Sequence, residues 1–299
     1  MSKYDDLVEK LGKFDIPDID YEKYYQANAD DTNKIKRVVD YFDELEEFLE
    51  KGDVIDGAKL PFSKLENRFR FRSGEVTMWS GLNGHKKSML LGYCIINLLK
   101  QKERVCLASF EMKPTKTIIR MSKQYAQSPR ADYDSVSEFM GFAANEFYIF
   151  DHLGEMSPER LMGIIQYTAK EMNVKHFVID SLMRVVKGDD DYNSQKDFVV
   201  NLCKLAIKFD IHIHFVHHTK KVKEDAPSGR YDAKGSSSLS DNVHNSLIVW
   251  SNKANNKDLP DMILKCDKQR EGEWEGNLAL NFLGETLSFE ETYNVPDEY

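Results

Sequence analysis

From about residue 54 onward the chain alternates short apolar runs with longer stretches of helical period, and this constrains the fold more than any other feature of the sequence. Strands buried on both faces read as continuous apolar runs, and parallel neighbours need a crossover between them, for which a helix serves. Strands are expected at Glu75–Trp79, Arg104–Ser109, Phe147–Phe150, His176–Asp180, Ile211–His217 and Ser246–Trp250, with helices over about 87–100, 114–126, 157–172 and 194–209. The last runs, Met262–Lys268, Asn277–Phe282 and Thr286–Phe289, follow one another without helices, with Gly272, Gly276 and Gly284 at their turns. An antiparallel extension of a mainly parallel α/β sheet is the expectation.

Composition narrows the class. With 299 residues, 41% hydrophobic and 30% charged, the chain is long enough for one or two domains and unlike a collagen, a disulfide scaffold or a wholly disordered chain. No stretch approaches the roughly 20 apolar residues of a membrane span, and the start, Met1-Ser-Lys-Tyr-Asp-Asp, resembles neither a signal nor a transit peptide, so a cytoplasmic protein without membrane contact is expected. Cys94, Cys106, Cys203 and Cys266 are far apart without a CxxC pair, which points to reduced, buried cysteines instead of zinc or disulfides.

The charge is uneven. Residues 1–60 hold 17 acidic against 9 basic side chains, nearly all of the net charge of -9, so a local basic surface remains open to the rest of the chain. Three segments are expected: an acidic tail over 1–32, an amphipathic linker helix within 33–53, and an α/β domain over 54–299. In the helix Ile35, Val38, Val39, Phe42, Leu45, Phe48 and Leu49 form one stripe, ended by Gly52. Such a stripe packs either on its own domain or on a neighbouring subunit.

The chemistry concentrates at strand ends. After the first strand come Ser80-Gly81-Leu82-Asn83-Gly84-His85-Lys86-Lys87-Ser88 and an apolar helix. A glycine-containing loop between a strand and a helix cradles phosphates on backbone N–H groups, with Lys87 neutralising their oxygens and Ser88 holding Mg²⁺. The common pattern has glycine before the lysine. Here Lys86 stands there, and its Cβ is expected to strain the turn if φ is positive. Asp180 ends an apolar strand where a second Mg²⁺-organising carboxylate belongs, or is a simple turn residue. Glu111 follows another buried strand, at the edge where open α/β sheets bind ligands; it either activates a water or is a solvated loop residue.

A further strand ends in His217-His218. His212 and His214 share one face of it, but nothing is spaced to complete a metal site, so a polar sensor at the strand end is the preferred reading. Between Thr219 and Ser240, Lys220, Lys221, Lys223, Arg230 and Lys234 accompany Gly235 and Ser236 in a segment suited to a nucleic-acid backbone or to plain solvent. Lys268 and Arg270 alternate on one strand and point the same way, as a surface salt-bridge pair or as an arginine finger into a neighbour's site.

In this order the motifs SGLNGHKKS, ASFEM, VIDS, VHH with its basic segment, DAKGSSSL and KQR resemble the ATPase domain of DnaB-like replicative helicases, most closely the Twinkle-like and bacteriophage primase-helicase branch. The resemblance covers about residues 55–290. It implies a RecA-like P-loop core and an ATP-dependent DNA helicase that works as a ring, usually a hexamer, on single-stranded DNA. ATP or another NTP with Mg²⁺ would be the cofactors. By position, Gly81, Asn83, Gly84, His85, Lys86, Lys87 and Ser88 would hold nucleotide, Ser88 and Asp180 the metal. Glu111 would be the catalytic base and His218 the γ-phosphate sensor. Lys268 and Arg270 would complete a neighbour's site, and Lys220, Lys221, Lys223, Arg230, Lys234, Gly235 and Ser236, with the segment Met183–Ser194, would face DNA. The linker helix would pack on the adjacent protomer, a separate primase or other replisome proteins would be partners, and a viral chain would act in the host cytoplasm. The alternative is a nucleotide-binding ring or clamp with weak turnover that recruits replication partners, the reading that Lys86 favours.

Overall fold

The computed structural model describes residues 36–50, 56–186, 192–219, 236–254 and 256–292. The chain divides into two compact units, Met1–Val54 and Ile55–Tyr299. In the first, a 3₁₀ turn over Val38–Tyr41 runs into α1 (Phe42–Glu50). Arg37 and Asp40 start it reciprocally: the Arg37 backbone N–H donates to Asp40 Oδ2 at 2.9 Å and the guanidinium to Oδ1 at 2.6 Å. Phe42, Leu45 and Leu49 of the stripe are exposed. The tail over 1–32, the expected helix start at Asn33 and the stop at Gly52 lie outside the described residues.

The second unit is built on one sheet. In chain order its strands are β1 (Val76–Gly81), β2 (Val105–Ser109), β3 (Phe147–Ile149), β4 (His176–Asp180), β5 (His212–His218), β6 (Asn245–Ser251), β7 (Met262–Gln269), β8 (Gly276–Leu283) and β9 (Ser288–Glu291). Their spatial order is β3-β2-β4-β5-β1-β6-β7-β8-β9. The first six in that order are parallel, and β7, β8 and β9 join antiparallel, as the change of pattern after residue 260 predicts.

Alternation within the strands feeds two cores. Trp79, Val105, Leu107, Val178 and Val216 face one side, with α2 (Lys87–Lys100), α3 (Pro114–Ala126), α4 (Tyr133–Ala143) and the segment Ala58–Phe71. Val76, Met78, Cys106, Phe177, Ile179, Ile213 and Phe215 face the other, with α5 (Pro158–Glu171), α6 (Tyr192–Phe209) and α7 (Ser236–Asn242). The helices begin where their signals stand. Asp132 accepts the Ser135 N–H at 2.9 Å ahead of α4, and Ser157 caps α5 just before Pro158.

One buried group is unusual for such a core. His176, His212 and His214 stack beneath Phe71, with centroids 4.4–5.6 Å apart. Their partners set the tautomers. Trp79 Nε1 donates to His214 Nδ1 at 3.4 Å, so His214 Nε2 donates to His176 Nδ1 at 3.2 Å. His212 Nδ1 donates to the Arg72 carbonyl at 2.7 Å and its Nε2 accepts from Thr77 Oγ1 at 2.8 Å. His212 and His214 do share a face, but to pack. Among the described residues no three His, Cys, Asp or Glu gather as a metal site.

Candidate active site

A parallel sheet delivers the C-terminal ends of β1, β2, β4 and β5 to one edge, so residues distant in sequence meet there. Around a cavity of about 760 Å³ stand Asn83, Gly84, His85, Lys86, Lys87 and Ser88 from the β1–α2 loop, Glu111 after β2, Met183 and Arg184 after β4, and His218 of β5. Arg120 of α3 closes one side. Asp180, at the end of β4, lies just beneath, in a smaller pocket of about 30 Å³ that it shares with Ser88, Arg120 and the buried hydroxyls of Ser109 and Thr117.

The loop is built for close backbone approach. Gly81 has φ +145°, and a Cβ there would run into the Val249 carbonyl oxygen, so only glycine fits. Lys86 has φ +61° and ψ +22°, the left-handed conformation that its pattern reserves for glycine. The loop therefore makes the turn in spite of the side chain, whose ammonium lies 4.9 Å from the centre of the Phe282 ring. The Lys86 carbonyl still accepts the Leu90 N–H at 2.9 Å and begins α2. His85 is buried and spends its Nδ1 on the Ser251 N–H at 3.0 Å, which ties the loop to β6. Lys253 donates to the Asn83 carbonyl at 3.1 Å.

Lys87 is buried and donates to the carbonyls of Gly81 at 2.7 Å and Leu82 at 2.8 Å. Burial pulls its ammonium down to about 8, against the opposing pull of Asp180 and Glu111. Burial likewise pushes the Asp180 carboxyl up to about 6, although the Ser88 hydroxyl bonds to it and lowers it. A buried carboxylate beside a hydroxyl is a hard-oxygen pair, and a divalent cation would relieve the charge burial that raises Asp180; the two residues fit Mg²⁺. Glu111 Oε1 accepts from Ser181 Oγ at 3.3 Å and from Arg184 Nε at 3.2 Å. The Nδ1 atoms of His217 and His218 are buried without a hydrogen-bond partner, and burial, then the Lys87 charge, lowers His218.

Lys268 and Arg270 do point the same way, toward the end of α7, and neither lines this cavity. Lys268 Nζ donates to the carbonyls of Ser240 at 2.8 Å and Asp241 at 2.9 Å, and Arg270 Nη2 to that of Asp241 at 3.0 Å. Both cations thus sit at the C-terminal end of α7, where a helix dipole favours them. Lys220, Lys221, Lys223, Arg230, Lys234 and Gly235 lie outside the described residues; Ser236 opens α7.

Residues 61–224, more than half of the chain, match the family model described as the AAA domain. The chain belongs to the AAA-domain family. Among solved structures, this AAA domain is similar to one described as an ATPase domain, with a TM-score of 0.73 and 18% identity over 87% of this chain and 100% of that one. A DnaB-like replicative helicase described with its primase interactions matches with a TM-score of 0.70 and 19% identity, over 85% of this chain and 67% of that one. The fold is therefore the RecA-like helicase ATPase fold, mainly parallel with an antiparallel extension. Comparison with curated protein sequences gives no match. No helix among the described residues is long and apolar enough to cross a membrane.

Three cations at the site escape a reading of motifs. Arg120 sits mid-helix, Arg184 in the 3₁₀ turn Leu182–Arg184, and Lys253 after β6. For Arg120 a signal existed: though exposed, it lies three residues past the buried Thr117 and next to the buried Met121 of α3.

Proposed function

We propose that this AAA domain is the ATP-hydrolysing motor of a DNA helicase that assembles as a ring, in the manner of a hexamer, and moves along single-stranded DNA. The observation that carries the reading is the convergence of Lys87, Ser88, Glu111 and His218 on one cavity, with Asp180 directly beneath. Lys87 and the loop amides bind the triphosphate, and Gly81, where a Cβ would meet the Val249 carbonyl oxygen, lets the loop lie against β6. Ser88 and Asp180 would hold Mg²⁺, which when bound screens phosphate charge. Glu111 accepts a proton from a water whose oxygen bonds to the terminal phosphorus; the bond from that phosphorus to the bridging oxygen breaks, and ADP leaves with the electron pair. His218, with Nδ1 unpartnered, contacts the terminal phosphate.

Arg270 and Lys268 do not line their own cavity, which agrees with completion of a neighbour's site. The 219–240 segment, with its five cations, serves single-stranded DNA, and α1 offers its exposed apolar stripe to an adjacent subunit. The likeness to a helicase described with its primase interactions makes a separate primase the partner we propose. The test is ATP turnover with and without single-stranded DNA, with assembly followed by light scattering. Stimulated turnover lost in both Glu111→Gln and Arg270→Ala supports a shared site. Assembly and nucleotide binding without turnover in the parent chain would refute the motor and leave a clamp.

A further inference from the structure

Glu111 carries an ion pair that none of the motifs requires. Arg184 lies four residues past Asp180, and its backbone is fixed on both sides: its N–H donates to the Ser181 carbonyl at 3.2 Å, and its carbonyl accepts the Met156 N–H at 2.9 Å. The side chain is free to differ. It is 48% exposed, reaches Glu111 Oε1 through Nε at 3.2 Å, and lines the same cavity as Lys87, Ser88 and His218. It is also near enough to His218, on the adjacent strand, for its charge to be felt there.

We propose that Arg184 senses the terminal phosphate from within the same subunit. Its guanidinium pairs with Glu111 in the structure; with a nucleoside triphosphate bound it turns to the terminal phosphate oxygens and releases the carboxylate to orient water. The inference rests on the reading of the cavity as an ATP site. Two physical points carry it. A carboxylate–arginine pair with both members about half exposed is weak, so it does not lock either partner. A phosphate presents more charge and a geometry that the planar, five-donor guanidinium matches with paired bonds, so it competes successfully for the same cation. A diphosphate ends short of that position and leaves the Glu111 pair intact.

The experiment titrates a fluorescent ADP and a fluorescent non-hydrolysable ATP analogue into the full chain, into Arg184→Leu and Arg184→Lys, and into Glu111→Gln alone and combined with Arg184→Leu. Arg184→Leu weakens the ATP analogue about tenfold, the size of one lost charge-assisted bond, and leaves ADP within about twofold. Arg184→Lys restores part of the loss. Glu111→Gln frees the arginine and tightens the analogue about two- to fivefold, an effect that disappears in the Arg184→Leu background. Equal losses for ADP and the analogue, or an unchanged analogue affinity in Arg184→Leu, overturn the inference while the ATP site stands. A parent chain that binds neither nucleotide overturns both. Thermal unfolding of each variant accompanies the titrations, and the conservative lysine variant decides the matter if the leucine variant does not fold.

Discussion

Replacing Lys86 separates the cost of its backbone from the contribution of its side chain. The residue holds φ +61°, a conformation that costs an L-residue roughly 1–2 kcal/mol. Its ammonium over Phe282, partly exposed, returns about 0.5–1 kcal/mol. Lys86→Ala keeps the backbone cost and loses the ring contact, so it is destabilising by about 0.5–1 kcal/mol. Lys86→Gly loses the same contact and adds about 0.5–1 kcal/mol of unfolded-state entropy, but relieves the strain, and comes out near the parent. Glycine should therefore be more stable than alanine by about 0.5–1 kcal/mol, the reverse of their order within a helix. Urea denaturation with a common slope for the three proteins gives the difference. Alanine equal to or more stable than glycine would refute the left-handed turn and, with it, the account of how the loop tolerates lysine.

Three further outcomes follow from the same geometry. The Lys87 ammonium ordinarily keeps its proton to about 10.5 but releases it near 8 in the folded chain, so the unfolded state binds more protons between those values. Unfolding free energy should rise with pH across that window and the rise should vanish in Lys87→Met, as denaturation at pH 7, 8.5 and 10 would show; an identical rise in the variant refutes it. Burial holds His176 near 3, His85 and His217 near 4, and His212 and His214 well below their ordinary 6.5. The unfolded imidazoles take protons that the folded ones refuse, so stability is lost as pH falls below 6.5; a flat profile from pH 6.5 to 4 contradicts this. Gly81→Ala drives a Cβ into a backbone oxygen in a glycine-only conformation, so a loss of about 3 kcal/mol with collapse of nucleotide binding is expected, measurable by calorimetry and titration.

The buried strands were legible because they read as short, largely apolar runs, and β4 and α2 fall on the residues expected for them. The cavity was legible for a related reason: its carboxylates, histidines and loop stand directly after those strands. What escaped lacked a local pattern. In α4 only Ser135, Phe139 and Ala143 are buried, too few for a clear stripe, and α7, with Leu239 and Ser240 buried, hides in a polar run. The alternation of Lys268 and Arg270 was visible, but their partners are backbone carbonyls of α7, which no side-chain pattern announces. His176 joins the histidines of β5 only through strand pairing, and Arg184 meets Glu111 across 73 positions of sequence.

The three stacked histidines also make a clock. Phe71, bridged to Ala58, lies edge-on to all of them with centroids 4.7–6.4 Å away, so the segment carrying these two residues is a cover over their ring protons. The proton on His214 Nε2 and that on His212 Nδ1 exchange with solvent only when this cover lifts or the sheet opens. Their magnetic-resonance signals, far downfield of the amides, would time the unlatching of this first packed segment separately from global unfolding.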